Sequence, residues 1–291
     1  MKVLVVIPHF HDAAGSGAYG STGPNSAKRA AALSAAIGAL HQQLGPRQAL
    51  LHSLHEPLPG RGNGRLLKVN SHAASQLDVV VCTVADKHLL ERVSVPRAMF
   101  HHQPVQAHPM MLGFACRQVF AAQLGKYDFY CYLEDDLVLL DAMFLAKIAW
   151  FNRTFGDEPL LLPHRYEVSE EQPVHKLYLD GPVRPDFTAK WQDVEDRRLI
   201  EEEFLGGKVA FERCPNPNAG CYFLNARQMA QWASAPNFAD TDCSFAGPIE
   251  SACCLGIMRN FRLYKPALAN AGFLEIRHDH NRYLGAALRT N

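Results

Sequence analysis

The clearest pattern in the chain is a set of predominantly apolar runs in its first half, at residues 2–7, 77–84 and 129–133. These runs are rich in valine, leucine and aromatic residues, and they do not alternate with polar positions. Such runs are typical of strands that are buried on both faces of a sheet. The pattern therefore predicts three inner strands.

Segments with helical character lie between and after these strands. Residues 24–40 are rich in alanine, which has the highest helix propensity, and residues 110–124 and 141–151 place apolar side chains at helical spacing. The apolar face predicted for the second of these segments comprises Leu112, Ala115, Val119 and Ala122. Because strands alternate with helices, we expect an α/β fold, Rossmann-like, with a mostly parallel central sheet flanked by helices.

The second half of the chain is less regular. It contains a charged stretch at residues 193–203, a short apolar strand at residues 221–224 and a helix that begins near residue 247. Internal repeats and low-complexity segments are absent from the sequence. We therefore expect one continuous domain over residues 1–291.

Composition and charge narrow the class of protein. Hydrophobic residues are 48% of the chain, which is enough for a packed core. Lysine and arginine together number 29, as do aspartate and glutamate, so no general electrostatic attraction draws the chain to nucleic acid. No apolar run approaches the length of a transmembrane helix, although a peripheral membrane contact stays open. The eight cysteines lack metal-site spacing and are expected to be reduced thiols, which favours a cytoplasmic location.

Three consecutive carboxylates, Glu134, Asp135 and Asp136, directly follow the third predicted strand. They repel one another unless a cation lies close by, and the carboxyl edge of a parallel sheet is where α/β folds bind ligands. Carboxylate oxygens are the ligands that Mg²⁺ and Mn²⁺ prefer. The cluster therefore predicts a divalent cation site, and the alternative is a solvated acidic turn before a helix.

The sequence around this cluster, residues 132–139, resembles the D-x-D region of GT-A glycosyltransferases, in a Glu-Asp-Asp variant. Residues 3–8 resemble their first strand. The resemblance implies a GT-A fold in which residues 1–150 bind a nucleotide sugar, and residues 151–291 bind the acceptor through a smaller sheet region. It further implies a Mn²⁺- or Mg²⁺-dependent transfer from a nucleoside diphosphate sugar, with a UDP-sugar favoured, to a hydroxyl of a saccharide or glycan.

The same resemblance suggests roles for individual residues near the donor. Asp136 would be the principal metal ligand, Asp135 would bind the metal directly or through water, and Glu134 would face the ribose or sugar. Two further donor contacts are expected from Arg117, toward the phosphate or sugar, and from Asp86, toward the base or ribose. The alternative for Arg117 is an ordinary surface arginine, and the alternative for Asp86 is a helix cap. After the first strand, Pro8 and Phe10 would border the nucleotide.

The acceptor hydroxyl requires a base in an inverting transferase. Glu250 precedes a largely apolar helix and resembles the acidic residue that inverting GT-A enzymes carry at such a position, so the product would have inverted stereochemistry. Asp240 and Asp242, on the preceding loop, are rival bases. A helix-dipole charge is the structural alternative for Glu250.

Two other segments resemble parts of the GT-A site. Residues 218–224 resemble the turn and strand that line the sugar pocket, where Gly220 would permit a close approach to the ligand. His278 and His280 alternate along one segment, so both side chains can face one site. In several GT-A families a C-terminal histidine binds the metal. A polar tail and a zinc site are the alternatives for this pair.

Other classes of protein fit the sequence less well. A nucleotidyltransferase on a related fold usually has basic residues in the loop after the first strand, and here no basic residue precedes Lys28. A metal-dependent carbohydrate-binding protein without turnover would share the metal site. A metal-dependent hydrolase would need a second ligand cluster, which the sequence does not contain.

Overall fold

The structure is a computed structural model that describes residues 1–15, 21–45, 50–57, 63–69, 76–169, 175–279 and 283–284. Its strands are β1 (Lys2–Pro8), β2 (Leu50–Pro57), β3 (Asn63–Lys68), β4 (Gln76–Val84), β5 (His101–Val105), β6 (Phe129–Leu133), β7 (Leu137–Val138), β8 (Pro159–Leu161), β9 (His164–Val168), β10 (Lys176–Tyr178), β11 (Leu199–Phe204), β12 (Gly207–Arg213), β13 (Cys221–Asn225), β14 (Arg262–Pro266) and β15 (Glu275–His278). Its α-helices are α1 (Ser26–Leu44), α2 (Leu112–Ala122), α3 (Phe144–Phe155), α4 (Ala226–Ala233), α5 (Pro248–Glu250) and α6 (Gly256–Asn260). A π-helical turn, Ser251–Leu255, joins α5 to α6, and 3₁₀ turns occupy Arg97–Met99, Pro109–Met111, Pro185–Phe187 and Leu268–Phe273.

The central sheet has five strands in the order β13-β6-β1-β4-β5. Strands β5, β4, β1 and β6 are parallel, whereas β13 runs antiparallel to β6 at one edge. Val3 through Ile7 of β1 and all five residues of β6 are buried, because helices such as α1 and α2 pack against the sheet. The prediction of an α/β fold with a mostly parallel central sheet is confirmed.

Two smaller sheets complete the second half of the chain. One has the order β10-β9-β15-β7, and the other has the order β11-β12-β14-β8. The charged stretch at residues 193–203 enters β11, which pairs with β12 as an edge hairpin and exposes most of its side chains. Strand β7 begins directly after Asp136, so one edge of the β10-β9-β15-β7 sheet lies beside the acidic cluster.

The predicted apolar face of α2 was correct for Leu112, which is buried, and wrong for Ala122. The structure buries Leu112, Cys116, Phe120 and Arg117, whereas Ala122 is exposed. The large side chains Leu112 and Phe120 determine which side of the helix faces the core, because they remove more apolar area from water than the alanines do. Arg117 lies on the buried side for this reason.

All eight cysteines are free thiols, and all except Cys243 are buried. This agrees with the prediction that they are not paired in disulfides. Among the described helices, none is long and apolar enough to cross a membrane.

Candidate active site

The acidic cluster forms a tight turn between β6 and β7. The Glu134 N–H donates to the carbonyl of Gly220, the residue before β13, at 2.9 Å, and the Leu137 N–H donates to the Glu134 carbonyl at 3.2 Å. The cluster is therefore fixed by backbone hydrogen bonds at the carboxyl edge of the central sheet. This is the edge at which α/β folds bind ligands.

Antiparallel pairing of β7 with β15 brings His278 to this turn. Leu137 lies opposite His278 in the ladder, and the Asp279 N–H donates to the Asp136 carbonyl at 2.8 Å. The His278 Nε2 atom consequently lies 3.7 Å from Asp136 Oδ2. Two residues predicted separately as metal ligands thus lie side by side. His280, the other histidine of that prediction, lies outside the described residues.

The buried carboxylate of Glu167 orients His278. Glu167 lies on β9 beside β15, is fully buried and lies 2.9 Å from His278 Nδ1. It also accepts the backbone N–H of Leu284 at 2.6 Å. Because Nδ1–H donates to Glu167, Nε2 is the ring nitrogen that faces Asp136. Metal-binding histidines commonly donate their second nitrogen to a carboxylate in this way.

Both oxygens of Asp135 are bound within the protein. The Leu89 N–H donates to His9 Nε2 at 3.1 Å, so Nδ1 of His9 carries the proton and donates to Asp135 Oδ2 at 2.5 Å. Arg29 donates a hydrogen bond from Nη2 to Asp135 Oδ1 and another from Nη1 to Asp136 Oδ2, the latter at 2.8 Å. Burial opposes ionisation of Asp135, but Arg29 and His9 outweigh it and hold the pKa of Asp135 well below its usual range.

Glu134 has the opposite electrostatic environment. Burial raises the pKa of Glu134 to about 7, with Asp136 and Asp135 adding to the increase and Arg165 opposing it. Arg165 lies 3.5 Å from the Glu134 carboxylate and holds Asp180 through two hydrogen bonds of 2.6 and 2.7 Å. Adjacent carboxylates of the cluster therefore differ strongly in their affinity for a proton.

Glu250 lies in the first turn of α5, immediately before the π-helical turn. Ser251, which is fully buried, exchanges two hydrogen bonds with the backbone of Phe245, at 2.6 and 3.1 Å, and so fixes the loop before the helix. Single π-turns are frequent at functional sites. The side chain of Glu250 is partly exposed and faces the same cleft as the acidic cluster.

That cleft has a volume of about 460 Å³. Its described lining residues are Pro8, Phe10, Ser21, Thr22, Arg29, Pro109, Met110, Leu112, Gly113, Tyr132, Glu134, Asp135, Asp136, Arg165, Asn218, Ile249, Glu250, His278 and Tyr283. The predicted residues Pro8, Phe10, Glu250 and His278 thus meet the acidic cluster, as do the missed residues Arg29 and Arg165. The chemical roles predicted for them stay predictions.

The structure corrects the positions expected for Arg117 and Asp86. Arg117 is buried between the rings of Phe114 and Trp232, and its guanidinium donates to backbone carbonyls such as that of Asp240, at 3.1 Å. It does not line the cleft, because α2 turns it into the core. Asp86 is exposed in the turn after β4 and is absent from the described cleft lining, and it caps no helix because residues 87–90 are not helical.

The rival bases Asp240 and Asp242 also lie outside the described cleft lining. Both pair with Arg259, Asp240 at 3.0 Å and Asp242 through Nη2. Hydrogen bonds from Ser244 and Arg259 hold the pKa of Asp242 well below its usual range, so that carboxylate is a weak base. This arrangement favours Glu250 among the three candidates.

Four residues of the site were not found from the sequence, namely His9, Arg29, Arg165 and Glu167. His9 lies between the predicted residues Pro8 and Phe10, and Arg29 is a basic residue in an alanine-rich helix. Both could therefore have been chosen as candidates from their sequence neighbours. Arg165 and Glu167 alternate along one short strand, which the sequence analysis did not recognise. Only the pairing of β9 with β15 reveals their direction.

The donor set is suited to a cation that takes further ligands from its substrate. No group of three or more His, Cys, Asp or Glu side chains within the described part of the chain is arranged to hold a metal by itself. Asp136 Oδ2 and His278 Nε2 are 3.7 Å apart, and two ligands about 2.1 Å from one ion lie about 3–4 Å apart. Mg²⁺ typically uses one or two carboxylates together with substrate phosphates. The two side chains fit this kind of site.

No protein-family model matches the chain, and no curated protein matches it in sequence. Among solved structures it is similar to residues 1–349 of S. aureus TarS, with 10% identity, a TM-score of 0.44 and coverage of 91% of this chain and 58% of that one. It is also similar to a CMP:2-keto-3-deoxy-manno-octonic acid synthetase in complex with CTP, with 12% identity, a TM-score of 0.36 and coverage of 91% and 90%. With TM-scores below 0.5, neither similarity carries an argument about function.

Gly220 packs closely against the side chain of Glu134. Its φ is +62°, and an added Cβ would lie 2.5 Å from Glu134 Oε2 and 3.0 Å from Leu137 Cδ1. The close approach to a ligand predicted for Gly220 stays a prediction.

We expect Gly220→Ala to lower the free energy of unfolding by about 1–2 kcal/mol for its left-handed backbone and by about 1–3 kcal/mol more for the steric overlap. Gly125→Ala is the matched control, because Gly125 has a φ of +79° with no atom within 4 Å of the added Cβ. Urea unfolding of both variants measures the difference. Equal losses would show that the overlap with Glu134 relaxes without cost.

Proposed function

We propose that the protein is a metal-dependent glycosyltransferase that moves a sugar from a nucleoside diphosphate to an acceptor hydroxyl. The observation that carries this proposal is the meeting of Asp136, His278 and Glu250 in one cleft at the carboxyl edge of the sheet. These residues come from three distant parts of the chain. They combine a candidate cation site with a candidate base.

The charge of the cleft supports a requirement for a cation. Among its described lining side chains, four carboxylates face two guanidiniums, those of Arg29 and Arg165. A nucleoside diphosphate is itself anionic, so a surplus of carboxylates opposes its binding. A divalent cation would remove this repulsion and would stabilise the negative charge that develops on the departing diphosphate.

Each of these residues would then have a separate role in the reaction. Asp136 and His278 would hold the cation, and Glu167 fixes the ring of His278. Glu250 accepts the proton of the acceptor hydroxyl, whose oxygen forms a bond to the anomeric carbon. The bond between that carbon and the diphosphate oxygen breaks on the opposite side, so the product has inverted stereochemistry. Glu134 would bind the sugar or ribose.

The test is a calorimetric titration of protein treated with EDTA against UDP, GDP, CDP and ADP, with and without Mn²⁺. We expect one nucleotide, with UDP favoured, to bind at least about tenfold more tightly when Mn²⁺ is present. Hydrolysis or transfer of the corresponding nucleotide sugar would then separate an enzyme from a carbohydrate-binding protein. If no nucleotide bound under either condition, the proposal would be wrong.

A nucleotidyltransferase is the second candidate, and the position of Arg29 favours it. In the sequence no basic residue precedes Lys28 after the first strand, which disfavours this class. Arg29, in the first turn of α1, nevertheless reaches the acidic cluster. A nucleotidyltransferase would bind a nucleoside triphosphate in preference to the diphosphate and would release pyrophosphate in the presence of a sugar acid or sugar phosphate. The same titration with triphosphates therefore distinguishes the two classes.

A further inference from the structure

Arg29 and a cation would compete for the same oxygen atom. Arg29 Nη1 donates to Asp136 Oδ2 at 2.8 Å, and this is also the oxygen that lies 3.7 Å from His278 Nε2. A cation bound between Asp136 and His278 adds a second positive charge at that oxygen. The guanidinium and the ion repel each other there, so the hydrogen bond from Nη1 to Asp136 is weakened.

The other half of the guanidinium is held independently of Asp136. Arg29 Nη2 donates to Asp135 Oδ1, while His9 Nδ1 donates to Asp135 Oδ2 at 2.5 Å. The side chains of Arg29 and Asp135 are 9% and 8% exposed, and that of His9 is fully buried. Asp135 therefore anchors Arg29 beside the cleft even when Asp136 binds another cation.

We propose that Arg29 exchanges hydrogen-bond acceptors when a divalent cation binds Asp136. Its Nη1 atom then donates to the diphosphate of the nucleotide and no longer to Asp136. Asp135 is the anchor of this movement, and Arg29 remains in the cleft wall throughout. The exchange rests on the proposed function, and it makes metal and nucleotide binding mutually dependent. The arginine releases the metal ligand only when a phosphate is available to accept its hydrogen bond.

This exchange predicts opposite changes in two affinities. Without nucleotide, Arg29→Gln removes a competitor for Asp136, so Mn²⁺ should bind about 5–150-fold more tightly. With saturating Mn²⁺, the same variant lacks the nitrogen that binds the diphosphate, so the nucleotide should bind roughly 10–100-fold more weakly. A residue that only stabilises the fold would not raise one affinity while lowering the other.

The matched control is Lys28→Gln. Lys28 is exposed in the same helical turn, and its substitution removes the same charge without touching Asp135 or Asp136. Free Mn²⁺ is measured by electron paramagnetic resonance, and nucleotide binding is measured by calorimetry at saturating Mn²⁺. We expect Lys28→Gln to change both affinities by less than about twofold, as for a screened surface charge.

The outcomes separate this inference from the proposed function. If the wild-type protein bound Mn²⁺ but no nucleotide, the proposed function would be overturned and the exchange with it. If the wild type bound both but Arg29→Gln matched Lys28→Gln, the exchange alone would be overturned. Should Arg29→Gln not fold, a crystal structure of the wild-type ternary complex decides. Arg29 bound to phosphate supports the exchange, and Arg29 still bound to both carboxylates refutes it.

Discussion

Replacing Glu250 with glutamine is expected to lower kcat for sugar transfer by about 10²–10⁴-fold, which is the usual contribution of a general base. Glutamine keeps the size and hydrogen-bonding reach of glutamate but does not accept a proton from the acceptor hydroxyl. Glu250 does not contact Asp136 or His278, so the Kd for the nucleoside diphosphate in the presence of Mn²⁺ should stay within about twofold. Steady-state kinetics and calorimetry on one preparation measure both quantities.

The controls for this experiment are the rival carboxylates on the preceding loop. Asp240→Asn and Asp242→Asn remove carboxylates that pair with Arg259 outside the described cleft lining, so kcat should change little. Loss of activity in Asp242→Asn together with full activity in Glu250→Gln would move the base to Asp242. Retained stereochemistry in the product, measured by NMR, would remove the role of a single base altogether.

The inner strands of the fold were predictable because each corresponds to one predominantly apolar run of consecutive residues. The runs that became β1 and β6 are buried on both faces, and β4 is buried on both faces toward its carboxyl end, so these strands need no alternating pattern to be recognised. The acidic cluster was predictable for a related reason. Three charges directly after a buried strand have few structural explanations, and the strand itself fixes the edge of the sheet at which they lie.

The rest of the site depends on contacts between residues that are distant in sequence. His278 was recognised as a candidate, but its approach to Asp136 follows from the pairing of β15 with β7, a strand of only two residues. Short strands carry too little periodicity to predict their partners. Glu167 was missed for the same reason, since its neighbour β15 comes from the far end of the chain.

Arg29 and Arg117 show that the charge of a helical residue does not predict whether its side chain reaches the functional site. Each arginine lies on the buried side of its helix, yet one lines the cleft and the other holds the backbone carbonyls of the core. The sequence predicted a donor contact for Arg117 and none for Arg29. The difference lies in how each helix packs on the sheet, which apolar spacing within one helix does not determine.

Asp135 and Asp136 are adjacent in sequence but are expected to differ sharply when each is replaced by alanine. Asp135→Ala would leave the fully buried Nδ1–H of His9 without its acceptor and would remove one of the two carboxylates that hold Arg29. Breaking a buried ion pair by removing one partner typically costs about 3–5 kcal/mol of stability. Asp136→Ala leaves Arg29 bound to Asp135, so we expect a smaller loss, about 1–3 kcal/mol.

Metal-dependent binding should show the reverse order. Asp136→Ala should weaken Mn²⁺-dependent nucleotide binding by more than about 100-fold, because losing a direct ligand costs at least as much as losing a residue that only orients one. The folded fraction of Asp135→Ala should keep Mn²⁺ affinity within about tenfold of the wild type, since both oxygens of Asp135 already bind His9 and Arg29. Urea unfolding and Mn²⁺ titration of the two variants measure this contrast.

Asp141→Ala is the control for both measurements, because Asp141 is a nearby carboxylate that pairs with Lys147 outside the described cleft lining. It should cost about 1 kcal/mol or less and leave Mn²⁺ binding unchanged. The sequence resemblance predicted Asp135 as a second metal ligand. If Asp135→Ala lost Mn²⁺ affinity as completely as Asp136→Ala while its stability matched that of Asp141→Ala, that prediction would be correct. Asp135 would then exchange Arg29 and His9 for the metal, and the anchor of the arginine would have to lie elsewhere.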